Sequence, residues 1–334
     1  MSNPIKKYIP DTGGFFCHPD TFFKELLLRQ IIWVERTQIM ARFKIWLKYL
    51  LSSSHLILFK INFESFKLNL INFNKTPPVL IYQMGKVGSQ AIYASLLKAR
   101  LPTLTYLVHF LSSGRIQEIE RCYSHLNDDS VSEMLKLSQM LHEKVVNHRQ
   151  DQWKIITLAR EPIGFVISQL FQIIRIDHPD LLDANGQAAV YRIIDYLSSV
   201  FDSFDEVTDY ASTWFDNELK QVFNVDVYAY PFNHNEGFTI TKEGNISVLV
   251  IRFEDLNRCF SRVAPSFLGL NKPIDMLNLN TGKCKWYASA YEYILNNIQI
   301  PKTVSERIYS TKYARHFYTE NMISGFITKW SGKR

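Results

Sequence analysis

Two glycines, a lysine and a serine lie within five positions of each other in residues 81–96, which read IYQMGKVGSQAIYASL. An apolar run leads into a turn with two glycines, and a helical stretch follows. Such a turn directs backbone N–H groups and the positive end of the helix dipole to one point, where a phosphate can bind. Gly85 and Gly88 allow close backbone approach, and Lys86 supplies positive charge. The predicted phosphate-binding residues are Gly85, Lys86, Val87, Gly88, Ser89, Gln90 and Ala91.

The order of lysine and glycine in this turn differs from the loop that binds ATP in kinases and ATPases. That loop places its lysine directly after the last glycine and adds a hydroxyl for Mg²⁺. Here Lys86 precedes Gly88. The order argues against a nucleotide kinase. Observed ATP hydrolysis or Mg²⁺ dependence would instead support that alternative. A glycine-containing turn that binds nothing is the other interpretation of this stretch taken alone.

A second group of polar residues follows the apolar run WKIITLA at 153–159, which predicts a buried strand. Arg160 stands at the carboxyl end of this strand, where ligands bind in α/β proteins. Ser168 follows eight residues later in the next predicted helix. Eight residues are just over two helical turns, so Ser168 lies near the same face as the first residues of that helix. An arginine and a serine so placed can hold one phosphate from two sides. A salt bridge at the strand end is the alternative role for Arg160.

Taken together, the two motifs resemble those of the P-loop sulfotransferases. The shared pattern is K-x-G-S opening a helix after the first strand, then R-x-P with a serine eight residues after the arginine. The resemblance implies that the first motif binds the phosphosulfate end of 3′-phosphoadenosine-5′-phosphosulfate (PAPS), the sulfuryl donor. Arg160 and Ser168 would then bind its 3′-phosphate. The desulfated product would be 3′-phosphoadenosine-5′-phosphate (PAP), and no metal is implied.

The segment IRFEDL, residues 251–256, resembles another stretch that is frequent in the sulfotransferases. In that family its arginine and carboxylates serve structure. The same role is therefore expected for Arg252, Glu254 and Asp255, with Arg252 as the one of the three that could reach the site.

A further resemblance lies near the carboxyl terminus. Residues 283–288, KCKWYA, resemble the N-K-W-Y-S signature of a bacterial family of capsular polysaccharide synthesis proteins, itself sulfotransferase-like. Cys284 replaces the asparagine of that signature and Ala288 its serine. The resemblance extends over roughly residues 77–330 and includes WFD at 214–216 and PF at 231–232.

By resemblance to sulfotransferases, the basic segment around this signature would close over the adenosine and the 3′-phosphate. Lys283 and Lys285 are the residues placed to do so. A solvated basic loop is the alternative. Trp286 and Tyr287 are expected to pack against the protein rather than to stack on the adenine base.

Sulfuryl transfer to a hydroxyl needs stabilisation of the leaving oxygen and a base for the acceptor. Lys86 would stabilise the negative charge that grows on the bridging oxygen. A neutral imidazole is a suitable base near pH 7, and His109 ends the second predicted strand, on the same edge as the other motifs. Some carbohydrate sulfotransferases carry histidines at a similar place. Glu161 and His178 are the alternative bases, and a buried structural histidine is the alternative role of His109.

The pattern of apolar runs predicts the elements that position these residues. Thr76-Pro77-Pro78 marks the start of a domain. Strands are predicted at 79–83, 105–110, 153–159 and 247–251, and helices at 89–100, 130–149, 162–174 and within 188–222. Strands that alternate with helices predict an α/β domain over residues 77–334, with a P-loop-like parallel β-sheet flanked by helices.

Residues 1–76 are predicted to form an N-terminal helical extension. Between residues 20 and 51, apolar side chains recur at helical spacing among basic ones. The expected role is packing on the main domain. A basic interfacial helix that associates peripherally with an anionic membrane is the alternative.

Composition limits the classes of function. A net charge of +6 over 334 residues is too weak to imply nucleic acid and suits an anionic cofactor or acidic polymer. The four cysteines are far apart and no histidine cluster has zinc spacing, which predicts a cytoplasmic protein without a metal site. No stretch reaches the roughly 20 apolar residues that span a bilayer, and no apolar run follows the first lysines as in a secretory signal.

The function predicted from these features is sulfuryl transfer from PAPS to a hydroxyl of a carbohydrate, in particular a surface or capsular polysaccharide. A capsule glycosyltransferase is one alternative, although many of those need two aspartates two positions apart, and the chain has no such pair. A non-catalytic sulfotransferase fold that binds a glycan or scaffolds a pathway is the other. The acceptor and the oligomeric state stay open.

Overall fold

The computed structural model describes residues 53–123, 128–207, 209–277 and 285–332. The helix predicted between residues 20 and 51 and the predicted site residue Lys283 lie outside these ranges. All structural statements below concern the described residues.

The centre of the protein is a five-stranded sheet with the order β2-β1-β3-β5-β4. Four strands are parallel, and β4 pairs antiparallel with β5 at one edge. The strands are β1 (Val79–Tyr82), β2 (Thr105–Val108), β3 (Trp153–Ala159), β4 (Phe238–Glu243) and β5 (Ile246–Arg252). The central strands are apolar runs buried on both faces, as expected for parallel strands covered by helices. The predicted α/β architecture is confirmed at this level.

The edge strand β4 is the element of the sheet that the sequence pattern did not predict. Its sequence FTITKE is mostly exposed or half-buried, so it lacks the continuous apolar run that marked the other strands. A tight turn through Gly244, with φ at 55°, joins β4 to β5 as a hairpin. The sheet is therefore mixed rather than wholly parallel.

Helices cover both faces of the sheet. Lys154 on β3 donates from Nζ to the backbone oxygen of Phe267 at 2.8 Å, whereas the ring of its neighbour Trp153 packs 6.2 Å from that of Phe223. Because successive side chains of a strand point to opposite faces, these two partners lie on opposite sides. The first helices in chain order are α1 (Ser53–Leu70), α2 (Ser89–Ala99), α3 (Ser113–Tyr123), α4 (Asp129–Asn147), α5 (Pro162–Asp177), α6 (Val190–Asp202) and α7 (Tyr210–Trp214).

Helix α7 continues without a break into a π-helical segment, Phe215–Lys220, and a last turn, Gln221–Phe223. The remaining helices are α8 (Leu256–Leu268), α9 (Ala288–Asn297), α10 (Lys302–Tyr309), α11 (Lys312–Phe317) and α12 (Glu320–Trp330). Side chains of α5, α6, α9, α10 and α12 form a second apolar core beside the one that contains the sheet.

The strand order creates a switch point between β1 and β3. From β1 the chain crosses to β2 on one side, whereas β3 and the later strands lie on the other side. In open α/β sheets, ligands bind outside the carboxyl ends of the strands at such a point. The loops that follow β1 and β3 are the ones that contain Lys86 and Arg160.

Candidate functional site

The two predicted phosphate motifs meet at the switch point. Arg160 donates from Nη1 to the backbone oxygen of Lys86. Its guanidinium also lies over the ring of Phe253, 4.6 Å from the centroid. An arginine has five N–H donors, so this contact leaves others for an anion. The structure thus places the loop after β1 and the loop after β3 in direct contact.

The loop after β1 has the backbone expected for binding an anion. Lys86 and Gly88 both adopt the left-handed region, with φ at 63° and 89°. Gly88 begins α2 and provides no side-chain cap for its first N–H groups. A Cβ at Gly88 would also stand only 3.0 Å from the Leu256 side chain, so that side chain would have to shift. A lysine held in the left-handed region is uncommon and costs about 1 kcal/mol or more, which is typical of functional loops.

Helix α5 contributes a further polar residue to this loop. The Oε1 atom of Gln169 lies 3.7 Å from the place that a Cβ on Gly85 would occupy. The preceding residue, Ser168, is buried on the same helix. Gln169 of α5 therefore lies beside the glycine turn, and the role of Ser168 stays a prediction. Gln169 was not predicted, because a glutamine inside an amphipathic helix carries no signal of its own.

His109 lies at the end of β2, where its ring contacts the end of β1. Its Nδ1 atom is 3.0 Å from the backbone oxygen of Gln83. A carbonyl oxygen only accepts, so the neutral ring has its hydrogen on Nδ1, and Nε2 carries the lone pair. Burial lowers the pKa of His109 from its usual value, against a smaller opposite effect of this hydrogen bond. His109 is thus neutral at pH 7, with a basic nitrogen at Nε2.

Gln83 itself has a buried side-chain amide. The residue has no exposed surface, and neither Nε2 nor Oε1 has a hydrogen-bond partner among the described residues. A buried polar group left unpaired costs about 1–3 kcal/mol. Gln83 lies just before the glycine turn, and its backbone oxygen contacts His109. Its unpaired side-chain amide therefore lies at the switch point.

The alternative base Glu161 has a structural task. Its carboxylate caps α5 by accepting hydrogen bonds from the N–H groups of Ile163 and Gly164, each at 2.8 Å. It also accepts one from the hydroxyl of Tyr309. Gly164 is needed for this cap, because a Cβ there would stand 2.7 Å from the carboxylate. The Glu161 carboxylate therefore serves to start the helix that carries Ser168.

We expect Glu161→Ala to destabilise the fold by about 2 kcal/mol or more, since it removes a helix cap and leaves buried donors unpaired. The measurement is urea unfolding of the variant and the wild type. Asp129→Ala is the matched control. Asp129 is an exposed carboxylate in the first turn of α4, but the residue that caps α4 is Asp128. Equal losses in the two variants would contradict the assignment.

The alternative base His178 lies at the opposite end of α5. It is the C-cap of this helix of 16 residues, so roughly 24 Å separate it from the helix start. Its Nε2 atom lies 3.1 Å from the hydroxyl of Tyr196 on α6. The structure does not bring His178 to the switch point.

The charged residues of IRFEDL hold the architecture together, as expected. Arg252 is buried and donates to the carboxylate of Asp255 and to the backbone oxygens of Phe317 and His234. Glu254 accepts from the backbone N–H of Glu161 at 2.9 Å and from the hydroxyl of Tyr318 at 3.0 Å. Burial raises the pKa of Glu254. These contacts fix the start of α5 beside the end of β5.

The aromatic pair of KCKWYA packs against the later half of α5. Tyr287 is buried with its ring 5.0 Å from that of Phe171, and the guanidinium of Arg175 lies 3.8 Å from the centroid of Trp286. The expected packing role of both aromatics is thus observed. The Nζ atom of Lys285 lies 5.6 Å over the ring of Tyr287. Lys285 therefore lies beside the second core.

The described ranges hold neither a cluster of metal-ligating residues nor a membrane-spanning helix. No group of three or more His, Cys, Asp or Glu side chains in them could hold a metal ion. No helix in them is long and apolar enough to cross a membrane.

A family model matches part of the chain. The NKWYS family model, described as "Putative capsular polysaccharide synthesis protein", matches residues 187–319. The resemblance to this family is therefore confirmed for that part of the chain. Neither the curated proteins nor the solved structures give a significant match. The predicted site residues Lys86, His109, Arg160 and Ser168 precede the matched part.

Proposed function

We propose that this protein transfers a sulfuryl group from PAPS to a hydroxyl of a carbohydrate. The observation that carries the proposal is the contact between Arg160 and the Lys86 loop at the switch point of the sheet. Two predicted phosphate motifs, separate in sequence, are joined there. The family match to capsular polysaccharide synthesis proteins supports a polysaccharide as the acceptor.

The residues at the switch point fit a donor with two anionic ends. Lys86, the guanidinium of Arg160 and the first N–H groups of α2 are all cations or donors. The two nearby carboxylates, Glu161 and Glu254, accept hydrogen bonds from protein groups. The unpaired amide of Gln83 adds a polar group that a ligand could satisfy. A polyanion is the class of ligand that this set would favour.

Each residue has a role in the proposed reaction. Bound PAPS would supply a sulfuryl group already activated by its link to phosphate. Lys86 and the N–H groups of α2 would stabilise negative charge on the leaving oxygen, and Arg160 with Ser168 would hold the distant 3′-phosphate. Nε2 of His109 would take the proton of the acceptor hydroxyl.

The proposal is tested by binding and by turnover. Calorimetry with PAP should show binding to the wild type, and Arg160→Ala should weaken it about tenfold or more, because a charged hydrogen bond is lost. Arg121→Ala is the control, since Arg121 is an exposed arginine of α3. Turnover is measured with sulfate-labelled PAPS and a set of capsular and surface glycans.

The outcomes separate the proposed function from its alternatives. Absence of both PAP binding and label transfer in folded protein would overturn the proposal. Binding of PAP without transfer to any glycan would indicate the non-catalytic binding protein. Turnover of a sugar nucleotide would indicate the capsule glycosyltransferase.

A further inference from the structure

A buried carboxylate holds the loop that follows His109. Glu218 lies in the π-helical segment Phe215–Lys220 and is 2% exposed. It accepts hydrogen bonds from the backbone N–H groups of Leu111 at 2.8 Å and Ser112 at 2.9 Å. The hydroxyl of Ser112 donates to its other oxygen at 2.7 Å, and the hydroxyl of Tyr82 donates as well. Three of these four donors belong to residues 111–112.

The same helical run binds His109 directly. Trp214, the last residue of α7, donates from Nε1 to the backbone oxygen of His109 at 3.1 Å. Trp214 and Glu218 are four residues apart and contact one loop, 109–112, so they share a face of the run. The π-helical turn starts between them. Such turns are rare and frequently occur at functional sites.

The energetics favour a specific task for this carboxylate. Moving a carboxylate out of water costs several kcal/mol, and an apolar residue of similar size would avoid that cost. Glu218 offsets it only by collecting donors, of which three fix the two residues that follow Phe110. Together with the buried side chains of Phe110 and Leu111, these hydrogen bonds fix the geometry of the loop.

We propose that Glu218 and Trp214 are positioning residues for His109. They fix loop 109–112 so that the His109 ring keeps its Nδ1–H on the Gln83 oxygen and its Nε2 lone pair for the proton of the acceptor. The catalytic part of this inference rests on the proposed function. The structural part, control of the tautomer and burial of His109 by Glu218 and Trp214, does not.

Several titratable groups surround this loop and bear on the ionisation of His109. They are Tyr82 on β1, Arg115 on α3, His142 on α4, Tyr210 on α7 and Glu218. His142 has its Nδ1 atom 2.7 Å from the backbone oxygen of Leu111. Burial is nevertheless the first cause of the lowered pKa of His109. Loosening the loop should therefore act mainly by admitting water to the ring.

The test is a titration of His109 followed by ¹⁵N NMR of histidine-labelled protein. His109→Gln identifies its signal among those of the nine histidines. The wild type should show the Nδ1–H tautomer and a pKa below 6.5. Glu218→Gln, Ser112→Ala and Trp214→Phe should each raise this pKa towards 6.5 and mix the tautomers. Asp216→Asn is the control, because it makes the same charge change on a half-exposed residue of the π-helical segment.

The outcomes keep this inference separate from the proposed function. If Glu218→Gln does not fold, Ser112→Ala and Trp214→Phe decide, since each removes one hydrogen bond. An unchanged tautomer and pKa of His109 in folded variants would overturn the inference, whatever the activity. If the wild type transfers no sulfate, the proposed function fails while the titration still decides the structural part. With activity present, the acidic limb of the pH profile should move to higher pH in the same variants.

Discussion

Replacing Lys86 by alanine is expected to lower kcat for sulfuryl transfer about 10²–10³-fold while PAP affinity falls less than about tenfold. The reason is that a cation aimed at developing charge is worth more in the transition state than in the ground state, about 3–4 kcal/mol for a single donor of this kind. The measurement is kcat and KM for labelled PAPS, together with PAP calorimetry. Lys98→Ala is the control, because Lys98 is an exposed lysine in the last turn of α2, the helix that follows the Lys86 loop.

Glycine at the same position separates the charge from the backbone. Lys86 has φ at 63°, which any residue with a Cβ adopts at a cost and glycine adopts freely. Lys86→Gly should therefore lose activity as Lys86→Ala does but unfold at a higher urea concentration than Lys86→Ala. A kcat within threefold of wild type in both variants would contradict the role of the ammonium group. A fall in PAP affinity as large as the fall in kcat would assign Lys86 to binding instead.

The sequence predicted the parts of the site that depend on local pattern. The turn GKVG, the strand end at Arg160 and the histidine at the end of β2 all follow continuous apolar runs, and such runs mark buried strands without reference to the rest of the chain. Because parallel strands end at the same edge, the three loops could be expected to come together. Two such contacts are observed, since Arg160 binds the Lys86 oxygen and the His109 ring meets the Gln83 oxygen.

The parts that escaped prediction depend on partners far away in sequence. Glu218 meets residues 111–112 across more than 100 positions, and Gln169 meets the glycine turn from a helix that starts in another loop. Neither residue type signals such a contact, since an isolated glutamate or glutamine on a helix is typically exposed to solvent. The edge strand β4 escaped for a different reason, because its pairing with β5 needs no buried apolar run.

The part of the chain that matches the family model holds the loops that carry the proposed chemistry. Trp214 and Glu218 bind the loop after β2. Tyr313 bonds both the N–H and the backbone oxygen of Arg160, and Glu254 bonds the N–H of the residue after it. Each of these four residues lies within 187–319. Residues of the matched region thus hold the loops of the switch point in place. Lys86 lies outside the match, yet the matched residues help to fix the loops around it.

Replacing His109 by glutamine is expected to lower kcat/KM about 10²–10⁴-fold, the range for loss of a general base. Glutamine can still donate to the Gln83 oxygen, so folding should be preserved while the basic nitrogen is lost. In the wild type the base must be neutral. Because burial lowers its pKa from the usual value, the midpoint of the acidic fall in activity should lie below pH 6.5. The pH profile of kcat/KM from pH 4.5 to 8 measures this limb.

The alternative base supplies the control for this prediction. His178→Gln changes a histidine at the far end of α5, where the ring meets Tyr196, and should leave both the rate and the acidic limb as in the wild type. In His109→Gln the residual rate should lose the limb altogether, since no other imidazole is assigned to the reaction. If the acidic limb of the pH profile persists in His109→Gln and disappears in His178→Gln, the base is His178 and not His109. A limb that lies above pH 6.5 in the wild type would mean that a base other than His109 controls the rate, because desolvation is the larger effect on its pKa and lowers it.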